Sequence, residues 1–117
     1  MQIARYGHTV EFLNNAVYAI GGTDQTHNST NTVEKMDVMN QEWQFACSLT
    51  HRRSKFLSAV SHDSNTIYVA GGTEDRQATN VMEAYKPGSD YWQEIELSLD
   101  FTIMKERTHM IIYNYSL

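Results

Sequence analysis

A short run that occurs twice constrains the fold of this chain more than any other feature. Residues Ala16–Thr23 and Thr66–Thr73 each contain an apolar stretch centred on a tyrosine, followed by two glycines and a threonine. The stretch is too short for a helix, and β-branched and aromatic side chains bounded by turn residues are typical of a strand. Because polar residues do not alternate with apolar ones, the run predicts a strand buried on both faces. The glycine pair permits a close approach of another backbone where the strand ends.

The repetition extends to both sides of these runs. Val10 lies eight residues before Tyr18, as Val60 does before Tyr68. Downstream, a strand-like segment contains a glutamate, and a tryptophan follows nine residues later in both copies. The repeated positions are Tyr18, Gly21, Gly22, Glu34 and Trp43 in the first copy and Tyr68, Gly71, Gly72, Glu83 and Trp92 in the second. The spacing changes by one residue only in the polar loop after the glycines, where insertions are tolerated.

Each unit divides into four predicted strands. Those of the first unit are His8–Leu13, the tyrosine-centred run, Thr32–Val38 and Glu42–Cys47; those of the second are Phe56–Ser61, the second run, Asn80–Tyr85 and Tyr91–Glu96. Asn14 and Asn15 are typical of a two-residue hairpin turn, since asparagine tolerates positive φ. Ser61–Thr66 predicts a looser turn in the second unit. Arg107–Tyr113 is similar to Arg5–Val10 and predicts the start of a third unit.

Together these residues resemble kelch repeats, whose signature combines the Tyr-x-x-Gly-Gly element, the glutamate strand and the spaced tryptophan. The resemblance covers residues 1–117 and divides them into repeat one (5–51), repeat two (52–101) and the start of a third (102–117). It implies an all-β fold, a partial kelch β-propeller with two four-stranded antiparallel blades and the first strand of a third. It also implies that Trp43 and Trp92 pack between neighbouring blades.

Two blades cannot close a ring, and this has a consequence for partners. Propellers close with four to eight blades and bury both faces of each blade. An open pair leaves two apolar faces bare, and exposed apolar patches of this size mark interfaces. We therefore expect further kelch blades, or self-association, to cover them.

Composition restricts the classes of function. The 117 residues carry a net charge of −5, which disfavours a nucleic-acid or anionic-membrane partner. No apolar run approaches the roughly 20 residues of a membrane span. Cys47 is the only cysteine, so no disulfide forms within the chain, and a reducing, cytoplasmic location is favoured.

No motif for catalysis is present in the sequence. The five histidines lack metal-ligand spacing, and there is no nucleophile motif or phosphate-binding loop. We therefore expect no catalytic, cofactor or metal site and no enzyme activity. Glu34 and Glu83 recur in step with the repeat, which predicts a structural role, such as hydrogen bonds to backbone or to an arginine. Two alternatives stay open: a fragment of a kelch-type propeller enzyme (a copper oxidase or a sugar epimerase), or a truncated product without independent function.

The resemblance also indicates where a partner would bind. In kelch propellers the loops before the first strand and after the glycine pair share one rim of the disc, and partners bind there. By position, the candidate partner-binding residues are Arg5, Tyr6, Arg53, Arg76 and Arg107, with the loops Thr23–Thr30 and Thr73–Thr79. Because arginine forms bidentate pairs with carboxylates, an acidic peptide is the expected ligand. An equally weighted alternative is that these arginines cap strand ends and pair with nearby Asp or Glu.

Similar kelch propellers suggest the kind of function. Many are protein-protein interaction modules, either the substrate-recognition part of a ubiquitin-ligase adaptor, attached to a BTB or F-box region, or an actin-binding scaffold. The chain contains no BTB or F-box stretch of its own, so this expectation rests on the resemblance alone.

Overall fold

A computed structural model describes residues 1–63 and 65–96, in which every regular element is a β-strand. The strands in chain order are β1 Arg5–Tyr6, β2 Thr9–Leu13, β3 Ala16–Ile20, β4 Thr23–Asp24, β5 Val33–Asp37, β6 Trp43–Phe45, β7 Leu57–Val60, β8 Ile67–Ala70, β9 Thr73–Glu74, β10 Gln77–Ala78, β11 Val81–Tyr85 and β12 Gln93–Glu96. The first blade is an antiparallel sheet in the order β2-β3-β5-β6, and the second blade has the order β7-β8-β11-β12. Two short pairs, β1 with β4 and β9 with β10, lie in the loops.

These two sheets confirm the all-β prediction of two four-stranded antiparallel blades. The observed strands of the two blades lie within the predicted ranges and most are shorter, most clearly β6 at Trp43–Phe45. Residues 97–117, with the end of repeat two, the predicted third repeat and Arg107, lie outside the described residues.

The first hairpin of each blade shows how turn length sets register. Asn14 and Asn15 have φ of 52° and 60°, as predicted for a two-residue turn. In the second blade the turn between Ser61 and Thr66 is longer, closed by a Ser61 N–H to Thr66 C=O hydrogen bond of 2.8 Å.

This longer turn shifts the equivalence between the first strands of the two blades. Val10 pairs with Ala19 in the first blade, and the matching pair in the second blade is Ser58 with Val69. The expected equivalence of Val10 with Val60 is therefore wrong, because the second turn contains two more residues. Val60 instead matches Phe12.

The core lies between the two blades. Leu13, Tyr18, Ile20 and Val33 of the first blade cluster with Ile67, Val69, Tyr85 and Trp92 of the second. The Trp92 indole N–H donates to the Cys47 carbonyl oxygen over 2.9 Å, and its ring stacks on Tyr85 at a centroid distance of 5.2 Å. Trp92 is only 2% exposed and packs between the blades, as the resemblance implies.

Trp43 departs from that expectation. It pairs with Met36 on β5, whereas Tyr18 pairs with Lys35, so Trp43 lies on the opposite face of the first blade from the core. It is half-buried and outside the cluster between the blades. Equivalent tryptophans therefore differ in burial because only one of them has a neighbouring blade within the described residues.

The second glycine of each pair lies where the linker that precedes the blade's first strand crosses the end of its tyrosine-centred strand. Gly72 has a φ of +85°, and a Cβ built on it would lie 2.6 Å from the Ser54 carbonyl oxygen. On Gly22, with φ of +103°, a Cβ would lie 2.8 Å from the Tyr6 carbonyl oxygen. The predicted close approach of backbone thus occurs in both copies, and it places the linker residues directly above the strand ends.

Candidate functional site

Two buried arginine–glutamate pairs recur, one in each blade. The Arg5 guanidinium lies 2.7 Å from a Glu34 carboxylate oxygen, and Arg53 lies 2.8 Å from Glu83. All four side chains have 0% exposure. Arg5 also donates to the Gly21 carbonyl oxygen at 2.9 Å, and Arg53 to that of Gly71 at 3.2 Å. Each arginine therefore joins a linker to a glycine pair and a glutamate strand.

Each glutamate also accepts hydrogen bonds from the backbone of the preceding linker. Glu34 accepts from the N–H groups of Gln2 and Ile3 at 2.5 and 3.2 Å. Glu83 accepts from those of Thr50 and His51 at 2.6 and 3.3 Å. The repeated glutamate is thus the point that holds the incoming chain against its blade.

Burial and charge act in opposite directions on these groups. Burial would raise the pKa of Glu34, but the linker N–H groups and Arg5 hold its pKa below the ordinary value. Burial lowers the pKa of Arg53, and Glu83 offsets part of that effect. In each blade the buried guanidinium lies against a carboxylate, which offsets the desolvation penalty that an unpaired ion in the interior would carry.

The burial of Arg5 and Arg53 bears on their expected role as partner contacts. A guanidinium with no exposed surface presents no donor to a second protein. The geometry is that of the alternative expectation, in which these arginines pair with nearby acidic residues. Of the other sequence-predicted contacts, Tyr6 is 52% exposed and Arg76 is exposed.

A groove lies on the rim where the loops of both blades meet. It has a volume of about 640 Å³ and is lined by Tyr6, Thr23, His27, Asn28, Ser29, Ser54, Lys55, Thr73, Asp75 and Arg76. The loops after both glycine pairs and the linkers before both first strands contribute to it. The structure therefore brings together the two kinds of loop that the resemblance places on one rim.

Hydrogen bonds within the second repeat and between the two repeats hold the walls of this groove. The Ser29 N–H donates to the Asp75 carboxylate at 2.9 Å, and the Asp75 N–H donates to the Ser29 hydroxyl at 3.0 Å. Ser54 and Thr73 exchange backbone hydrogen bonds of 2.9 Å in both directions. The Lys55 N–H donates to the Gly7 carbonyl oxygen at 2.8 Å. Such a preorganised wall loses little entropy when a ligand binds.

Among the described residues, the positive side chains of the groove make no ion pair, whereas Asp75 in the groove and the neighbouring Asp24 accept hydrogen bonds. Asp75 is engaged by Ser29, and Asp24 accepts from the hydroxyl and N–H of Thr26 at 2.5 and 2.9 Å. The hydrogen bond from the Thr26 hydroxyl lowers the pKa of Asp24, and the hydrogen bonds from the backbone N–H groups of Asn28 and Thr26 lower it further. Desolvation alone would raise this pKa. Within residues 1–63 and 65–96, neither Lys55 nor Arg76 takes part in an ion pair, and both are exposed.

Two groove residues, Ser54 and Lys55, lie outside the predicted contacts and loops. Lys55 lies two residues after Arg53, and the linker path turns Arg53 inward and Lys55 outward; Lys55 has a φ of 55°. His27 projects from the loop that the resemblance does indicate, with a φ of 67°. The repeat pattern marks the linker and the loop as important but does not distinguish inward from outward side chains within them.

His8, which lies beneath the rim, is expected to make the free energy of unfolding of the chain depend on pH. Burial, and secondarily Arg5, lowers the pKa of His8 from its ordinary value of 6.5. The unfolded chain therefore binds more protons near pH 6, so the free energy of unfolding should fall as the pH decreases below about 6.5. Phe56 is the equivalent residue of the second blade.

The His8→Phe variant tests this dependence. Urea unfolding at pH 7.5 and pH 5.5 should show a smaller loss of stability on acidification for the variant than for the unmodified chain. His62→Phe, at an exposed turn position, is the control. An equal pH dependence of His8→Phe and the unmodified chain would contradict the assignment to His8.

Over residues 1–63 and 65–96, no three His, Cys, Asp or Glu residues cluster closely enough to hold a metal ion. The same ranges contain no helix of the length and apolarity that crossing a bilayer requires. Cys47 is half-buried, and its thiol donates to the Ser89 carbonyl oxygen at 3.6 Å.

Comparison with known proteins finds one family in both repeats. The family model described as "Kelch motif" matches residues 4–48 and 56–96. Kelch domain-containing protein 10 from Bos taurus is 30% identical over 98 residues, which cover 77% of this chain and 22% of that protein. Kelch-like protein 40 from Xenopus tropicalis is 33% identical over 89 residues, covering 76% and 14%.

A plant protein gives a similar match. A protein from Arabidopsis thaliana, whose name describes it as F-box/kelch-repeat, is 28% identical over 81 residues, covering 69% of this chain and 22% of its own length. The chain thus spans less than a quarter of the length of each of these relatives.

Proposed function

Because the chain belongs to the kelch-repeat family, we propose that it acts as a protein-protein interaction module. The partner surface in this proposal is the rim groove, and the ligand is an acidic segment of another protein. The finer proposal is the substrate-recognition part of a ubiquitin-ligase adaptor, supported by a relative whose name contains F-box. We place this role in the cytoplasm, because the sequence contains only one cysteine, Cys47, and therefore forms none of the internal disulfides that are typical of proteins in oxidising compartments.

One observation carries the choice of ligand. Lys55 and Arg76 are exposed in the same groove and make no ion pair within the described residues, while the neighbouring Asp75 is already engaged by Ser29. A carboxylate entering the groove would gain two charge-assisted contacts without displacing an existing partner. The exposed Tyr6 ring offers an apolar surface beside them, and aromatic side chains are enriched at protein interfaces.

Charge reversal in the groove tests this proposal. We expect Lys55→Glu and Arg76→Glu each to weaken binding of a labelled Glu-rich peptide by about tenfold, because each replaces an attraction with a repulsion. Fluorescence anisotropy measures the affinity, and the Gln counterpart of the peptide shows how much of it depends on charge. Affinity should also fall as salt is raised.

Lys86→Glu provides the matched control. Lys86 is an exposed lysine of the second blade that does not line the rim groove. Its replacement by glutamate changes the net charge of the chain by the same amount as Lys55→Glu. The Lys86→Glu variant should bind the Glu-rich peptide with an affinity within about twofold of that of the unmodified chain, because distant exposed charges are largely screened. If Lys86→Glu weakened binding as much as Lys55→Glu, the attraction would be that of net charge and the groove would not be the site.

A further inference from the structure

The rim groove is lined by residues with a strained backbone. In the described part of the chain, seven residues other than glycine have a positive φ, and four of these line the groove: His27, Lys55, Asp75 and Arg76. Lysine and arginine are disfavoured in this conformation, because the Cβ atom crowds the following carbonyl oxygen. Such strain is concentrated at ligand-binding sites, where the surrounding structure holds the residue in place.

Lys55 occupies a position that is glycine in the other repeat. Arg53 matches Arg5 through its equivalent ion pair, so Lys55 matches Gly7. The φ values of Lys55 and Gly7 are 55° and 66°. Both linkers therefore have a left-handed backbone here, which glycine adopts without strain. The lysine of the second repeat is present at a cost in stability.

The loop after the second glycine pair contains a similar departure from local preference. Glu74 pairs with Gln77, so Asp75 and Arg76 form a two-residue hairpin turn, with φ values of 49° and 80°. Glycine is the preferred second residue of a turn in which both φ values are positive. Arginine takes that place in this chain.

The loop of the first repeat adds a third basic side chain. His27 has a φ of 67° and is the last residue of the turn between Asp24 and Asn28, which is closed by a 3.0 Å hydrogen bond from the Asp24 N–H to the Asn28 carbonyl oxygen. Glycine is typical of the last position in a turn of this length. The basic residues that line the groove thus all occupy backbone positions suited to glycine.

Hydrogen bonds join the three segments that carry these basic side chains. The residue before Lys55 exchanges backbone hydrogen bonds of 2.9 Å with Thr73, the first residue of β9. The residue before Arg76 exchanges hydrogen bonds with Ser29, which lies two residues after His27. The basic side chains therefore belong to one connected framework, which reduces the entropy lost when they bind a common ligand.

We propose that the rim groove binds a phosphorylated residue of its protein partner, with the phosphate held between Lys55 and Arg76. This inference rests on the proposed function of the groove as a site for an acidic segment, and it specifies the acidic group. A phosphorylated side chain carries a charge of about −1.5 to −2 at pH 7 and three strong acceptor oxygens. One phosphate therefore balances both cations, whereas one carboxylate balances the charge of only one.

The remaining lining of the groove fits a phosphate that belongs to a peptide. Thr23, Thr73 and Asn28 also line it, and their side chains contain hydroxyl and amide groups that can donate to phosphate oxygens. A volume of about 640 Å³ suits a ligand much larger than a single ion. The exposed Tyr6 ring offers a contact for the residues beside the phosphate. A net charge of −5 disfavours the phosphates of a nucleic acid or a membrane.

Two labelled peptides of nearly equal charge test the nature of the acidic group. One carries a single phosphoserine among neutral residues, and the other carries two adjacent glutamates at the same place. Fluorescence anisotropy should show about tenfold tighter binding of the phosphopeptide. The physical reason is that one phosphate contacts both cations, whereas two separate glutamate side chains must each be ordered. The peptide with unmodified serine should bind much more weakly than either.

The outcomes separate this inference from the proposed function. Equal affinities for the two peptides, both reduced by Lys55→Glu, would overturn the phosphate proposal and leave the binding of an acidic segment intact. If neither peptide bound, and the Glu-rich peptide did not bind either, both proposals would fail. Displacement of the phosphopeptide by an equal concentration of inorganic phosphate would indicate a site for a free anion. Stronger displacement by phosphoinositide vesicles would indicate a membrane surface, and either result would overturn the peptide assignment.

Replacement of the strained residues by glycine gives a second test. Lys55→Gly and Arg76→Gly should each raise the melting temperature by about 2–5 °C, because glycine adopts a positive φ without strain. Each should also weaken binding of the phosphopeptide about tenfold. Gln41→Gly is the matched control, since Gln41 is exposed, has a φ of 59° and does not line the groove.

The control should show a similar rise in melting temperature with unchanged binding. If Lys55→Gly and Arg76→Gly lowered the melting temperature while Gln41→Gly raised it, the two basic side chains would stabilise the fold and would not be held in strain for a ligand. Unchanged phosphopeptide affinity in Lys55→Gly and Arg76→Gly would likewise overturn the proposal.

Discussion

Replacement of Glu83 by alanine is expected to lower the free energy of unfolding by about 3–5 kcal/mol. The Glu83 carboxylate is buried and accepts hydrogen bonds from the Arg53 guanidinium and from the N–H groups of Thr50 and His51. Its removal leaves a buried, uncompensated positive charge and two linker N–H groups without their acceptor. Domains of this size have total stabilities of about 5–15 kcal/mol, so the loss is a large fraction of the whole.

Urea unfolding followed by tryptophan fluorescence measures this effect, because Trp92 reports on the contact between the blades. Glu42→Ala is the matched control, since Glu42 is an exposed residue just before β6, and it should change stability by less than about 0.5 kcal/mol. Equal losses for Glu83→Ala and Glu42→Ala would show that the buried pair does not stabilise the fold.

A double replacement separates the charge from the hydrogen bonds. Arg53→Met combined with Glu83→Leu removes both charges and leaves apolar side chains of similar size. The double variant should regain part of the stability that Glu83→Ala loses, because replacing both members of a buried ion pair lowers stability far less than removing one member. Recovery should be incomplete, since the linker N–H groups of Thr50 and His51 still lack an acceptor.

The second large effect is expected from Gly72→Ala, at about 3 kcal/mol of lost stability. Gly72 has a φ of +85°, and an added Cβ would lie 2.6 Å from the Ser54 carbonyl oxygen and 2.7 Å from the Phe56 Cβ. The methyl group would push away the linker that closes one wall of the rim groove. Because that linker also exchanges backbone hydrogen bonds with Thr73, the displacement should reach the groove.

Gly88→Ala isolates the steric part of this loss. Gly88 has a similar φ of +97°, but no atom lies within 4 Å of a Cβ built there. It should therefore cost only the conformational strain of a positive φ, roughly 1–2 kcal/mol. Urea unfolding of both variants gives the difference, and amide exchange at Ser54 and Thr73 should accelerate in Gly72→Ala alone. If both variants lost the same stability, the close approach of the linker would not contribute.

The linker between the blades connects the buried Arg53–Glu83 pair to the exposed groove. Glu83 holds the linker through Thr50, His51 and Arg53, and the same linker continues into Ser54 and Lys55 on the rim. The repeated arginines thus act beneath the surface, as residues that position the linker, while the neighbouring Lys55 is exposed. This division of roles explains why the arginines recur in each unit but Lys55 does not.

The amino-acid sequence by itself determined the strands, the turns and the division into blades. The tyrosine-centred runs, the Asn14–Asn15 turn and the recurring glutamate and tryptophan are local patterns, and local patterns are sufficient where the backbone conformation depends on a few adjacent residues. The match of two units in phase then identified the architecture, since each unit is one sheet that must pack on another.

Only the tertiary structure decided which equivalent residues are buried and which are exposed. Trp43 and Trp92 have the same local setting, yet only Trp92 is covered, because burial depends on the neighbouring blade rather than on the residue's own strand. Arg53 and Lys55 are two residues apart in one linker, and the path of that linker over the glycine pair turns one side chain inward and the other outward. Neither the course of a linker nor the presence of a neighbouring sheet is encoded in a short window of sequence, because both depend on contacts between residues distant along the chain.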